Sequence, residues 1–91
     1  MKTSKQIINY IKWNKLINKK NKSKYKIGYY DRVDNNIKFF YFSDIIFKEC
    51  DEFALAVKGS NIKNDKIIYI PYHRLRIVYD NSNKIIWKRK K

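Results

Sequence analysis

The residues best equipped for chemistry stand in one short run, Ile70-Pro71-Tyr72-His73-Arg74-Leu75-Arg76-Ile77, followed ten residues later by Trp87-Lys88-Arg89. These two stretches hold the only histidine, the only proline and three of the four arginines, while 18 lysines supply the remaining positive charge. An imidazole, a phenol and two guanidiniums within five residues suit recognition of an anion. Arginine offers phosphate oxygens a planar fork, and histidine donates one ring N–H when neutral and two when protonated. Pro71 fixes its own φ and removes a ladder donor, so a strand bends there and the following side chains can converge. Strand parity puts Leu75, Ile77 and Tyr79 on one face and Arg74, Arg76 and Val78 on the other. The two arginines would then project together about 7 Å apart, enough to flank one phosphate or two successive ones. The plainer alternative is a half-buried His73 bonded to backbone and an Arg74 paired with a nearby acid.

The aromatic residues carry a second chemistry. Trp87 on a terminal hairpin can stack on a base, a contact worth ~1–3 kcal/mol in single-strand binders. It shares strand parity with Ile85, however, and so serves equally well as core. Trp13 is expected in the core. Phe39-Phe40-Tyr41-Phe42 puts rings on both faces of one strand, one face core and the other either a second core layer or a stacking platform. Asp31-Arg32 ends a strand, with Arg32 available to a neighbouring phosphate or tied into a surface ion pair worth less than ~1 kcal/mol.

Catalytic patterns find little support. A histidine-pair phosphoesterase needs two histidines, and His73 is alone. Cys50 is the only cysteine, so it forms no intrachain disulfide, and one Cys with one His does not make a usual zinc site. Glu49, Asp51 and Glu52 read as a solvated loop, and there is neither a Gly-rich phosphate loop nor a nucleophile elbow. The expectation is a binding protein without metal or cofactor. A one-histidine RNA-processing activity with His73 as general base is the catalytic alternative.

A net charge of +14 and a pI near 9.9 point to a polyanionic partner: RNA, DNA or an acidic membrane surface. Richness in Lys, Asn and Ile accompanies A/T-rich codons, so the placement of charge says more than its total. Residues 1–30 hold nine lysines and no acid, and the chain finishes Lys88-Arg89-Lys90-Lys91. The acids gather in the middle, at Asp44, Glu49, Asp51 and Glu52, so the two ends form one basic face if they meet. No apolar run approaches the ~20 residues of a membrane span, and no apolar signal region follows Met1-Lys2-Thr3-Ser4-Lys5. The apolar face within residues 5–20 is too short to favour a membrane-surface role. A cytoplasmic protein is expected.

The elements that must position these groups fit a single α+β domain of 91 residues, enough for one modest core. Thr3 with Gln6 fits a capping box. Ile7, Ile8, Tyr10 and Ile11 follow on one helical face, predicting a helix that ends near Trp13 or Asn14. Residues 18–24 read as a solvated basic loop. Tyr25–Asp31 and Ile37–Phe42 read as strands of a hairpin turning at Asp34-Asn35-Asn36. Ser43-Asp44 can cap a helical turn through Phe47. Phe53–Val57, closed by Gly59-Ser60-Asn61, and Ile67–Ile70, stopped by Pro71, are two more strands. Arg74–Tyr79 and Lys84–Lys88 form a last hairpin around Asp80-Asn81-Ser82-Asn83. The predicted architecture is a short N-terminal helix on a mostly antiparallel sheet of about five strands, ending in a β-hairpin.

The run IPYHRLRIVYDNSNKIIWKR resembles the C-terminal signature of the RNA cyclic group end recognition domain, a family of small, mainly archaeal proteins. Its pattern is Ile-Pro-x-His-Arg-Ile, hydrophobic residues, a turn, and an ending like Val-Trp-x-Arg. Ile70, Pro71, His73, Arg74, Trp87 and Arg89 stand at matching positions. Trp13 at a helix end, the Asp31-Arg32 pair and the Ser43-Asp44-Ile45 step extend the likeness over nearly the whole chain. Two positions depart from it: Val33 stands where the family often has Gly, and the last hairpin turns on Asn81-Ser82-Asn83 instead of a Gly. The resemblance implies recognition of RNA ends bearing a 2′,3′-cyclic phosphate in RNA repair or processing, beside phosphoesterase-type partner enzymes, by binding and not turnover. On that reading His73 and Arg74 hold the cyclic phosphate and Tyr72 or Trp87 meets the terminal base. Arg32 or Arg76 takes the neighbouring phosphate, and the lysine-rich ends add nonspecific attraction. The alternative is a general basic nucleic-acid-binding or ribosome-associated protein without end specificity.

Overall fold

The computed structural model describes residues 2–59 and 66–89. The N-terminal helix α1 (Ser4–Trp13) begins where the sequence sets it. Thr3 accepts from the amide of Gln6 at 3.2 Å, and the Gln6 side chain accepts from the amide of Thr3 at 2.8 Å. Its buried stripe is Ser4, Ile7, Ile8 and Ile11. Trp13 lies off that stripe and is 70% exposed, not core as expected, with the Lys12 ammonium 4.8 Å above its ring. The basic stretch expected as loop contains a short helix, α2 (Lys19–Ser23). Its start is an Asn18 side chain accepting from the amide of Asn21 at 2.8 Å, a local cap that lysine-rich composition obscures.

Six strands follow: β1 (Lys26–Asp31), β2 (Asn36–Tyr41), β3 (Ala54–Lys58), β4 (Ile67–Pro71), β5 (Leu75–Tyr79) and β6 (Ile85–Lys88). They form a four-stranded sheet ordered β2-β1-β5-β6 and a separate two-stranded sheet, β3-β4; all pairings among the described residues are antiparallel. The α+β class and the closing hairpin are as expected, with the strands divided between two sheets. Between β2 and β3 the chain makes two 3-10 turns, Phe42–Asp44 and Phe47–Glu49. Asp44 does not cap the start of a longer turn; its carboxylate reaches back to the amide of Tyr41 at 3.1 Å. Ser60 and Asn61, expected to close β3, lie outside the described residues, as do Lys90 and Lys91.

Both hairpin turns of the four-stranded sheet are set by an aspartate and an asparagine. Asp31 Oδ1 accepts from the amides of Val33 and Asp34, and Asp80 Oδ1 from those of Ser82 and Lys84. The left-handed residues are Asn35 (φ 55°) and Asn83 (φ 64°). Asparagine tolerates that conformation, and with Asn35 taking it in the first turn, Val33 can stand where a glycine was looked for.

One cluster forms the core: Ile7, Ile8 and Ile11 of α1, Ile27, Phe40, Leu75, Val78 and Trp87 from one face of the four-stranded sheet, and Leu55, Val57 and Ile70 from the two-stranded sheet. Burying each such side chain contributes about 1.5–3 kcal/mol. The opposite face of the four-stranded sheet is left open.

Parity in the last hairpin differs from the sequence expectation, and β-bulges are the reason. Tyr29 pairs with Leu75 and Gly28 with Ile77, so Arg76 is an extra residue on β5. Leu75 and Val78 therefore both face the core, each 0% exposed. Arg74 belongs to a 3-10 turn, Tyr72–Arg74, and not to the strand. The two arginines thus do not share one strand face. Ile86 is a second bulged residue, between the pairs Val78–Trp87 and Tyr79–Ile85. It separates exposed Ile85 from Trp87, which is buried at 7% exposure.

Candidate functional site

Pro71 ends β4, and the chain turns through Tyr72-His73-Arg74 before β5 begins. This turn packs against α1 and β1. Its position follows from register. β1 runs toward the start of β5, β2 begins there, and β6 ends there. The turn, Arg32 just beyond β1, Arg76 at the head of β5 and Arg89 just past β6 consequently gather at one end of the four-stranded sheet. The chain ends meet there as well. Trp87 Nε1 donates to the carbonyl of Lys2 at 2.7 Å, and Arg89 Nη2 donates to Ser4 Oγ at 3.1 Å.

The gathered residues play different parts. His73 is exposed, Arg32 is exposed and Arg74 is half-buried. The Arg74 Nε is buried without a hydrogen-bond partner among the described residues, a state that ordinarily costs about 1–3 kcal/mol. Arg76 donates through Nη1 to the carbonyl of His73 at 2.7 Å, and its guanidinium lies 5.8 Å from the centre of the Tyr30 ring. Arg89 donates through Nε to the Leu75 carbonyl at 2.8 Å and through Nη2 to the Tyr72 carbonyl at 3.1 Å as well as to Ser4. It is a clamp on the turn first, holding it through Nε and Nη2. Trp87 is enclosed in the core, so a base cannot take its ring face, contrary to the stacking role open to it from sequence. The indole instead fastens the N-terminus to β6.

Between the start of α1 and the turn lies a hollow of about 600 Å³, lined by Ser4, Lys5, Glu52, Tyr72, His73 and Arg89 among others. Ser4 Oγ donates to the Tyr72 carbonyl at 2.7 Å, which fixes the helix start against the turn. The first-turn amides of Ser4 and Lys5 have no acceptor inside the helix, and the helix dipole adds positive potential there. The Lys5 ammonium stands 5.8 Å from the Tyr72 ring centre. Burial, with Cys50 and Asp51 nearby, pushes the Tyr72 phenol above its ordinary 10.0 and keeps it a donor. Glu52 is the acid of this lining. Sequence reasoning missed Ser4 and Lys5, since nothing in the first residues says which turn the helix start will meet.

The open face of the sheet is aromatic and basic. Phe39 and Tyr41 of β2 are 49% and 52% exposed, and the Phe39 and Tyr79 rings are 6.2 Å apart. Of the two readings of the Phe39–Phe42 run, this face is not a second core layer. The Lys26 ammonium sits 5.1 Å from Phe39 and 4.9 Å from Tyr79. Gly28 makes room for this arrangement, because a Cβ there would lie 2.7 Å from Ile77 Cγ2 and 2.8 Å from Phe39 Cε1.

Among the described residues no helix is long and apolar enough to cross a membrane. The model of one family, the MJ1316 RNA cyclic group end recognition domain, matches residues 1–89. No curated protein and no solved structure matches the chain.

Proposed function

The chain belongs to the RNA cyclic group end recognition domain family, and from that premise we propose that it binds processed RNA ends that carry a 2′,3′-cyclic phosphate. The observation that carries this reading is the hollow where the first turn of α1 meets Tyr72-His73-Arg74. A cyclic phosphate is a compact monoanion fused to a ribose. His73, Lys5 and the amides of Ser4 and Lys5 supply donors for its two unesterified oxygens, and Arg89 and Tyr72 border the same space. Arg74 flanks the hollow, and Arg32 and Arg76 stand at the same sheet end for the next phosphates. Phosphate contacts of this kind position the strand.

Binding without turnover is part of the proposal, since a histidine-pair phosphoesterase works with two histidines and the chain has one. A role in RNA repair or processing, with a phosphoesterase or other end-modifying enzyme as partner, is part of the same proposal, because a cyclic end forms when a ribose 2′-hydroxyl attacks the adjacent phosphate and the strand is cleaved.

The test is fluorescence anisotropy with one single-stranded oligonucleotide ending in cyclic phosphate, 3′-phosphate or 3′-hydroxyl. The cyclic end is expected to bind tightest, and His73→Ala to remove the preference. Equal affinities for the three ends would overturn the reading. The cyclic-end oligonucleotide recovered after incubation is expected intact; hydrolysis lost in His73→Ala would make the protein an enzyme. The net charge of +14 favours a second reading, charge-driven binding of any RNA. That reading expects affinity to fall with a log–log salt slope of about 0.7 per phosphate and no special loss at His73.

A further inference from the structure

We infer that the open face of the four-stranded sheet is a stacking platform for the unpaired bases that precede the RNA end. This rests on the RNA-end reading above and extends it from the terminal group to the strand behind it. The face is a broad groove of about 1450 Å³. It contains exposed Phe39, a Tyr79 ring 6.2 Å from it, and Tyr30 beneath the Arg76 guanidinium. The described lining includes Lys2, Arg76, Lys88 and Arg89 and no Asp or Glu, with Lys26 lying across the Phe39 and Tyr79 rings.

This chemistry selects the occupant. An apolar face awaiting a protein partner has no need of cations set over its rings, and a second copy of this chain would bring another +14 charge against the first. Single-stranded RNA offers what the groove lacks: flat π-faces for the aromatics and a phosphate for each lysine and arginine. Duplex RNA does not, because its bases are stacked on one another and its phosphates face outward.

The face is continuous with the end site. Arg89 borders both the hollow at His73 and the groove. From there the platform runs along β1, first Tyr30 with Arg76, then Phe39 and Ile77 over Gly28, then Tyr79 with Lys26. Tyr30 to Lys26 spans about 13 Å at strand rise. A 3′ end held at His73 would therefore lay its last bases along this line. Lys26 is a flexible point charge that can leave the rings for a phosphate as a base arrives.

The experiment measures affinity for a short single strand with a cyclic-phosphate end and for the same strand ending in 3′-hydroxyl. Phe39→Ala, Tyr79→Leu and Phe39→Trp are compared, each with a thermal melt to establish folding. Loss of one stacked base is expected to weaken both strands about 5- to 150-fold and to leave their ratio unchanged. Phe39→Trp should retain or improve binding, and replacing the bases next to the end by abasic sites should weaken wild type far more than Phe39→Ala. If both folded variants with the ring removed bind as tightly as wild type, the platform is overturned while end recognition at His73 stands. If the two ends bind equally yet both fall in Phe39→Ala, end recognition fails and the platform stands. A protein that self-associates through this face, with Phe39→Ala restoring the monomer and leaving RNA affinity intact, would assign the face to a second copy and overturn the inference.

Discussion

Arg89 donates a 3.1 Å hydrogen bond to the hydroxyl of Ser4, across 85 residues of chain. The same guanidinium takes the carbonyls of Leu75 and Tyr72, so one side chain ties the helix start, the His73 turn and the last strand together. Hydrogen bonds from charged donors at part-buried positions contribute more than neutral ones, and losing them unties the last strand from the turn, while the Tyr72 carbonyl keeps the Ser4 hydroxyl. Arg89→Ala is expected to cost about 1–3 kcal/mol, roughly 5–20 °C in Tm for a domain of this size. Arg89→Lys should recover only part of this, because an ammonium cannot reach three acceptors in the geometry of a planar fork. Thermal denaturation followed by circular dichroism checks it. Equal Tm for wild type and Arg89→Ala would mean the residue is there for ligand alone.

The two tryptophans divide between the core and the surface in a way that spectroscopy can read. Trp87 is 7% exposed and bonded to the Lys2 carbonyl, while Trp13 is 70% exposed. In Trp13→Phe the remaining indole emission should be blue-shifted and resistant to acrylamide. In Trp87→Phe it should be red-shifted and readily quenched. Trp87→Phe should also lower stability by about 1–2 kcal/mol through the lost N–H bond and repacking. Addition of RNA should leave Trp87 emission nearly unchanged. Direct quenching of Trp87 by RNA would return the base-stacking role to it.

What the sequence made legible was local. The Thr3–Gln6 cap, the two asparagine turns and the strand stop at Pro71 each follow from chemistry within four residues. Failures came where a tertiary contact decides. The bulge at Arg76 arises in pairing with β1, a strand nearly fifty residues earlier, so no periodicity along β5 could reveal it, and one inserted residue inverted the predicted faces of Ile77, Val78 and Tyr79 relative to Leu75. The same holds at Ile86, which freed Trp87 from the exposed face of Ile85. The candidate site was half legible. Rare residues marked Tyr72, His73, Arg74, Arg76 and Arg89, but only the fold brings Ser4 and Lys5 to them, and it turns Arg89 largely to a structural task.

Asp31 gives the first hairpin a pH dependence. The Lys38 ammonium 2.9 Å away, the amides of Val33 and Asp34, and the charge of Lys38 hold its carboxyl below the ordinary 3.8. Lys38 in turn is held above its ordinary 10.5 by Asp34 and Asp31, both of which it pairs. A carboxylate whose folded pKa is depressed stabilises the fold above its unfolded pKa. That contribution is lost as pH falls through the folded value. For the raised Lys38 the contribution is present below 10.5 and lost as pH rises through its folded pKa. The hairpin should thus be firmest between these limits and loosen first on the acid side, below about pH 4. An NMR titration of the Asp31 carboxyl checks the direction. In Lys38→Met the midpoint should move most of the way back to 3.8, with the remainder held by Val33 and Asp34. No movement would assign the shift to the backbone amides alone.

Glu52 is the one acid lining the hollow beside His73, Lys5 and Arg89. Its carboxylate opposes any anion that enters, and it does so from an exposed position, where solvent weakens but does not remove the repulsion. If the hollow takes a cyclic phosphate, Glu52→Gln should tighten binding of the cyclic-end strand up to about fivefold at low salt. The 3′-hydroxyl strand should change less, since it brings no terminal charge into the hollow. The difference should shrink as salt is raised to about 0.5 M, where the screening length is roughly 4 Å. Stability should be little altered, because Lys5 reaches the Glu52 backbone carbonyl, at 3.4 Å, and not its carboxylate. An equal gain for both strands would indicate long-range attraction to the whole backbone. No gain for either would move the terminal phosphate away from this hollow, toward Arg74 and Arg32.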